Sequence, residues 1–206
     1  MLDRELQSVY VHQGEHSGYK ILGVDPAAGG DKSAIVLKSG NLQEVVFNQK
    51  LNDTMDLVGV IMDKYRTYKA DYIVIDKTGV GQGVFDRLKE LEYNCRGVSF
   101  GEKSEDPQFQ NLKAEWHWRE RQWLLSGGRL LYDVGWNEFE IVKYKNKDGR
   151  ILIQPKEELF REGMSSPNVV DAAVLTMVIS DQNVKSTRIV RQMQGREFFD
   201  QTTKIW

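Results

Sequence analysis

The sequence predicts an α/β fold in which helices flank a central mixed sheet of five strands, with an additional β-hairpin. Two observations indicate this fold class. Three apolar, strand-like runs follow one another with only short turns between them, as in a three-stranded antiparallel meander. A further strand-like run between two segments of helical spacing indicates a strand that pairs in parallel, most simply with the first strand of the meander.

Length and composition restrict the possible classes of protein. The chain has 206 residues, enough for one domain with appendages and a sizeable core. With 40% hydrophobic and 28% charged residues we expect a soluble protein, since no stretch approaches a membrane span and the N-terminus is too polar for a signal peptide. The single cysteine, Cys95, excludes an internal disulfide and fits a reducing cytoplasm. A net charge of −2 means that a nucleic acid would have to bind a local basic surface.

Three segments are expected along the chain. Residues 1–19 are predicted to be a linker or leader, 20–182 the folded domain, and 183–206 a polar C-terminal tail. His12 and His16 have the spacing of a metal-binding pair, but no helical pattern surrounds them, so a solvated linker is the favoured interpretation.

The meander is predicted between residues 20 and 49. Its first apolar run ends at Asp25, and a glycine-rich turn leads to Asp31 and a second, β-branched run. Asp25 has two interpretations: a residue that ends a strand and starts a turn, or a functional carboxylate. The second interpretation gains support because the pattern recurs at Tyr72–Asp76, where another apolar run ends in an acid.

Helical spacing predicts helices at 53–68, 79–92 and 110–125, with Asn52 or Asp53 as the N-cap of the first. A short apolar segment at 95–100 is predicted to be the fifth strand. Tryptophans at helical spacing are more often core residues than base-stacking platforms, so Trp116 and Trp123 are assigned to packing.

A hairpin is predicted from strands at 139–144 and 150–154 around an Asn-Lys-Asp-Gly turn. The cations near its tip are Lys143, Lys145, Lys147 and Arg150. They have two equally weighted interpretations: charges that keep a solvated hairpin from edge pairing, or a basic finger that binds a DNA phosphate backbone.

The last predicted helix, at 169–180, follows a Ser-Ser-Pro-Asn segment that would supply its N-cap. Asp171 shares a face of this helix with apolar residues, where an acid is costly unless it meets a cation or a metal. Asp25, Asp76 and Asp171 are therefore expected to converge in an oxygen-rich site suited to Mg²⁺ or Mn²⁺. Phosphodiester hydrolysis with two metal ions uses such a site.

Three phrases of the sequence, GVDPAAGGDKSAIV, VIDKTGVGQGVFDRL and KEELFREGMSSPNVVDAAVL, resemble the nuclease domain of phage large terminases, which has a ribonuclease H-like fold. The resemblance covers about residues 20–182. It implies that Asp25, Asp76 and Asp171 bind two Mg²⁺ or Mn²⁺ ions and are catalytic, with Asp31 as an accessory metal ligand. Two features depart from the family pattern: Asn168 occupies a position where an acid is expected, and the chain has no Walker A motif.

The resemblance also implies a function. The expected activity is endonucleolytic cleavage of concatemeric viral DNA in the host cytoplasm, with little sequence preference, at the start and end of genome packaging. The implied partners are double-stranded DNA, a packaging ATPase domain, the portal protein, the small terminase subunit and the capsid. The alternatives are a Holliday-junction resolvase of the same fold, a non-catalytic DNA-binding module, and an ATPase of the sugar-kinase and actin type.

Overall fold

The structure, a computed structural model, describes residues 9–27 and 30–179, which form two sheets and the helices around them. The strands are β1 (Tyr10–Val11), β2 (Lys20–Asp25), β3 (Ser33–Ser39), β4 (Leu42–Gln49), β5 (Tyr72–Asp76), β6 (Cys95–Val98), β7 (Arg129–Leu131), β8 (Tyr144–Lys147) and β9 (Arg150–Ile153). The α-helices are α1 (Thr54–Tyr68), α2 (Gly81–Glu90), α3 (Leu112–Leu125), α4 (Lys156–Arg161) and α5 (Asn168–Leu175).

The main sheet has seven strands in the order β1-β7-β4-β3-β2-β5-β6. Strands β2, β3 and β4 form the predicted antiparallel meander, and β5 pairs with β2 in parallel, as predicted. The expected number of five strands is corrected to seven, because β7 pairs with β4 and β1 pairs with β7, both in parallel. These two strands have only three and two residues, too few to show a periodic pattern.

Part of the segment predicted to be a linker belongs to the folded structure. Val9 is buried in the core, and the next two residues form β1. The two histidines do not form a pair: the His12 ring packs against Tyr132, whereas His16 Nε2 lies 2.9 Å from a carboxylate oxygen of Glu44. Residues 1–8 and the predicted tail 183–206 lie outside the described residues.

Helices cover both faces of the main sheet. On one face α1 and α2 contribute residues such as Leu57 and Leu88 to a core that includes Leu22 of β2. On the other face α5 and α3 pack against Ile21 and Val74. Because both faces of β2 are buried, its apolar run is continuous rather than alternating.

Two local predictions about helices are confirmed. Asp53 is the N-cap of α1, where its side chain accepts a hydrogen bond of 2.8 Å from the Met55 amide. Trp116 is buried in the core, and Trp123 is partly buried against it. In the part of the chain that the structure describes, no helix is long and apolar enough to cross a membrane.

The predicted first strand of the hairpin is wrong over most of its length. Val134–Glu140 is a 3₁₀ helix, and β8 begins only at Tyr144. Asp133 caps the 3₁₀ helix by accepting a bond of 2.7 Å from the Gly135 amide, and Trp136 is fully buried with its indole N–H bonded to the Leu131 carbonyl. Tertiary burial of this tryptophan outweighs the local strand pattern.

Candidate active site

Asp25 and Asp76 lie at the same edge of the main sheet. The parallel register of β2 and β5 pairs Val24 with Ile75, so the next residue of each strand is one of the two aspartates. Neighbouring strands are about 4.8 Å apart, which brings the two residues side by side. Asp76 is fixed further by Thr78, whose backbone amide and hydroxyl donate bonds of 3.0 and 2.7 Å to Asp76 Oδ1.

Asp171 reaches this edge from the helix layer. α5 packs so closely on β2 that a side chain at Gly23 would collide with the Ala172 carbonyl oxygen. Asp171 is fully buried at this contact. The sheet edge and the first turn of α5 therefore enclose the predicted carboxylates from two layers.

Three nitrogen-bearing side chains surround the Asp171 carboxylate. Lys113 Nζ lies 2.9 Å and His117 Nε2 3.3 Å from it, both from one face of α3. Lys156, the first residue of α4, places its Nζ 3.2 Å from Asp171 Oδ2 and 3.9 Å from Asp25 Oδ2. The Lys156 ammonium group thus bridges two of the three predicted site residues.

Burial and neighbouring charges set the protonation of the site. Burial raises the pKa of Asp25 above its ordinary value. The nearby Asp171 and Asp76 carboxylates raise this pKa further, whereas the positive charges of Lys156 and Lys113 lower it. Burial would also raise the pKa of Asp171, but Lys113, His117 and Lys156 together lower it. Asp171 is therefore the carboxylate held ionised by its cations, while Asp25 tends to retain a proton.

The two bases respond in opposite directions. Burial lowers the pKa of His117 despite its contact with Asp171, so the imidazole is favoured in its neutral form. Burial would also lower the pKa of Lys156, but Asp25 and Asp171 raise it, so this ammonium group stays charged.

Asp31 lies beside the N-terminus of α5. Its Oδ1 accepts bonds of 2.7 Å from Asn168 Nδ2 and 2.9 Å from the Lys32 amide. Its charge also contributes to the raised pKa of Lys156, which places it within electrostatic reach of the cluster. Asn168, at the position where the resemblance leads one to expect an acid, donates a hydrogen bond to this loop.

The donor set fits a hard divalent cation in its chemistry, because the predicted ligands are carboxylate oxygens and burial of Asp25 and Asp171 disfavours their unneutralised charge. Among residues 9–27 and 30–179, however, no three His, Cys, Asp or Glu side chains form a ready metal cage. The cationic neighbours of Asp171 are lysines, so binding of a metal at this carboxylate would exchange lysine contacts for metal contacts.

The predicted DNA-binding cations do not all have the same surroundings. Lys143 Nζ lies 2.9 Å from Glu162 and Lys145 Nζ 2.6 Å from Glu158, so both are paired with acids on or next to α4. Lys147 and Arg150 are cross-strand neighbours at the hairpin turn.

Sequence reasoning missed four residues around Asp171: Lys113, His117, Lys156 and Glu138. Lys113 and His117 carry one weak signal, a spacing of four that puts both on the same helix face. Lys156 and Glu138 carry none, because their closeness to the cluster depends on how α4 and the 3₁₀ helix pack.

Searches of known structures find the same fold in viral nucleases. The nuclease domain of the large terminase subunit of bacterial virus Sf6, with manganese and beta-thujaplicinol, matches with a TM-score of 0.72 and 17% identity over 84% of this chain and 95% of that one. Another structure of that domain matches with a TM-score of 0.70 and 16% identity over 84% and 95% of the two chains. The large terminase nuclease of thermophilic phage G20c, with bound magnesium, has a TM-score of 0.64 and 15% identity over 84% and 94%.

Further structures of the Sf6 domain hold calcium or manganese, and further structures of the G20c nuclease hold cobalt or zinc. No protein-family model and no curated protein matches the chain. At these identities the likeness establishes the fold, and it confirms the ribonuclease H-like architecture predicted from the sequence.

Proposed function

Because the chain has the fold of large terminase nuclease domains, we propose that it is a metal-dependent endodeoxyribonuclease that cuts concatemeric viral DNA during genome packaging. The observation that supports the proposal is that Asp25 and Asp76 end adjacent parallel strands, and that Lys156 contacts both Asp25 and Asp171, which lies on the covering helix. A resolvase of the same fold and a non-catalytic DNA-binding module remain as outcomes of the test below.

Asp25, Asp76 and Asp171 are the residues that would hold two Mg²⁺ or Mn²⁺ ions, with Asp31 at the margin. When bound, the ions would activate a water molecule and stabilise charge on the leaving oxygen of the phosphodiester. The chain's own contribution is to hold these carboxylates in place: the strand ends orient Asp25 and Asp76, and Lys113 and His117 orient Asp171. Lys113 and Lys156 reduce the repulsion among the carboxylates.

The proposed substrate is double-stranded DNA in the host cytoplasm. A packaging ATPase domain, the portal protein and the small terminase subunit are its proposed partners. The likeness of the fold to large terminase nuclease domains supports these assignments.

The first test is cleavage of linear plasmid DNA with Mg²⁺ or Mn²⁺, compared with a four-way junction and with ATP hydrolysis. We expect metal-dependent cleavage of the plasmid. Asp25→Asn, Asp76→Asn and Asp171→Asn should each abolish it because each removes a ligand charge, whereas Asp63→Asn, on the exposed side of α1, should cleave like wild type.

Preference for the junction would favour the resolvase, and DNA binding without cleavage would favour the binding module. Full activity in a folded aspartate variant would remove that residue from the site. A thermal melt gives an independent readout: Mn²⁺ at about 100 times its Kd should stabilise the wild type by about 2.7 kcal/mol, by mass action.

A further inference from the structure

The helix that carries Asp171 has no N-cap of its own. The sequence predicts an N-cap from the Ser-Ser-Pro-Asn segment, but the N-cap position is occupied by Pro167, whose side chain makes no capping hydrogen bond. The Ser166 hydroxyl is buried without a hydrogen-bond partner among the described residues. The side-chain amide of Asn168 donates its hydrogen bond to Asp31. The first N–H groups of α5 therefore need an acceptor from elsewhere in the fold.

Glu138 supplies that acceptor from 31 positions upstream. Its Oε2 accepts a bond of 2.6 Å from the Val169 amide and a longer one of 3.4 Å from the Val170 amide. A carboxylate at a helix N-terminus also interacts favourably with the helix dipole.

The Glu138 side chain projects from a firmly packed support. The 3₁₀ helix that carries it is capped by Asp133 and anchored by the fully buried Trp136, whose ring stacks on Phe139. It also lies directly against α5, since a side chain at Gly135 would come within 2.9 Å of Val169. Glu138 is thus fixed relative to the core as well as bonded to α5.

These contacts bear directly on Asp171, which occupies the first turn of α5. Its amide donates to the Pro167 carbonyl at 2.8 Å, immediately after the two amides that Glu138 binds. We propose that Glu138 is a positioning residue of the active site. By capping α5 from a distant part of the same chain, it fixes the first turn of this helix and so the position of the Asp171 carboxylate. The inference rests on the proposed function only in taking Asp171 as a metal ligand.

The test compares Glu138→Ala, Glu138→Gln and a matched cap variant, Asp53→Ala, which removes the N-cap of α1. Mn²⁺ binding is measured by calorimetry without DNA, beside the melting temperature. Loss of a residue that holds a metal ligand in place typically weakens metal binding by about 10–100-fold. We expect a loss of Mn²⁺ affinity in that range for Glu138→Ala. Glu138→Gln keeps an acceptor oxygen and should bind Mn²⁺ nearly as wild type does, while Asp53→Ala should lower the melting temperature and leave Mn²⁺ affinity unchanged.

Hydrogen exchange measured by NMR supplies a readout that needs no metal: the Val169 and Val170 amides should exchange faster in Glu138→Ala but not in Asp53→Ala. If the Val169 and Val170 amides exchange at the wild-type rate in Glu138→Ala, the capping role is overturned. If Glu138→Ala binds Mn²⁺ as tightly as Asp53→Ala does, the positioning role is overturned. Equal loss of Mn²⁺ affinity in Glu138→Gln and Glu138→Ala would mean that charge rather than capping matters, which also overturns it. If the wild type binds Mn²⁺ but does not cut DNA, only the proposed nuclease activity is refuted. If the wild type binds no Mn²⁺, both the nuclease activity and the positioning role of Glu138 are refuted.

Discussion

At the scale of single residues, the contact between Asp31 and Asn168 links the glycine-rich loop to the helix that carries Asp171. The 2.7 Å bond uses one oxygen of Asp31. Because that oxygen also accepts from the Lys32 amide, the position of Asp31 is well fixed beside the cluster. The geometry is that of a peripheral acid rather than of a central ligand.

We therefore predict that Asp31→Asn raises the metal concentration needed for half-maximal cleavage, with part of the rate restored at saturating metal. A peripheral charge tunes occupancy, whereas Asp25→Asn removes a central ligand and should remain inactive at every concentration. A Mn²⁺ titration of cleavage by both variants measures this. Wild-type behaviour of Asp31→Asn would make Asp31 an ordinary loop acid.

Glu120 is a second residue whose charge is governed by its surroundings. It is 1% exposed, and burial raises its pKa to about 7, against the opposing effects of Gln43 and Lys38. Glu120 Oε2 accepts a bond of 3.0 Å from Gln43 Nε2. Glu120 Oε1 and Gln43 Oε1 are both buried without hydrogen-bond partners among the described residues, and a proton on Glu120 would add a donor to this group of acceptors.

This raised pKa predicts a pH-dependent stability. The folded state binds the proton more tightly than the unfolded state, whose pKa is near the ordinary 4.5, so the stabilisation is complete below about pH 4.5 and is lost as the pH rises through about 7. The loss is on the order of 3 kcal/mol. Urea unfolding at pH 5 and pH 8 should therefore show a smaller loss of stability in Glu120→Gln than in wild type, by roughly this amount, whereas the surface variant Glu90→Gln should match wild type. The same pH dependence in Glu120→Gln would exclude Glu120 as its origin.

At the scale of elements, the hairpin of β8 and β9 is attached to α4. Lys143 and Lys145 pair with Glu162 and Glu158, and the chain runs from β9 through Pro155 directly into Lys156. Two of the four predicted DNA-binding cations therefore already have acidic partners. Lys147 and Arg150, near the turn, are the better candidates for phosphate contacts.

This arrangement predicts different effects of two double variants on DNA binding. Lys147→Gln with Arg150→Gln should weaken binding to all sequences alike and flatten its salt dependence by about 0.9 in slope per lost phosphate contact. Lys143→Gln with Lys145→Gln should change the slope less, since those charges are neutralised within the protein. Affinity measured against salt concentration without divalent metal decides it, and an unchanged slope in both variants would support the solvated hairpin.

At the scale of the whole molecule, the site depends on how closely the helix layer approaches the sheet. Gly23 lets α5 pack on β2, because any side chain there would meet the Ala172 carbonyl oxygen. The same contact sets the depth at which Asp171 meets the strand ends.

Gly23→Ala should therefore destabilise the fold by about 1–3 kcal/mol through overpacking and impair cleavage by displacing Asp171. The matched control is Gly59→Ala in α1, where a side chain would have open space and alanine should stabilise the helix by up to about 1 kcal/mol. Urea unfolding and the cleavage assay test both variants. Wild-type stability and cleavage in Gly23→Ala would show that the layers can move apart without affecting the site.

The sequence by itself determined the elements whose signals are local. The meander and the N-cap of α1 follow from apolar runs, turn residues and capping residues close together in the chain, and the parallel pairing of β5 follows from the helical segment that precedes it. For the same reason Asp25 and Asp76 could be assigned to the ends of adjacent strands.

Only the tertiary structure decided which residues surround Asp171. Lys113 is 58 positions away from it in the chain, and Glu138 reaches α5 from a 3₁₀ helix in a region predicted to be partly strand. Likewise β1 and β7 are too short to be recognised before they meet in the sheet. Contacts of this kind depend on the packing of whole elements, because burial of residues such as Trp136 outweighs the weak local preferences of short segments.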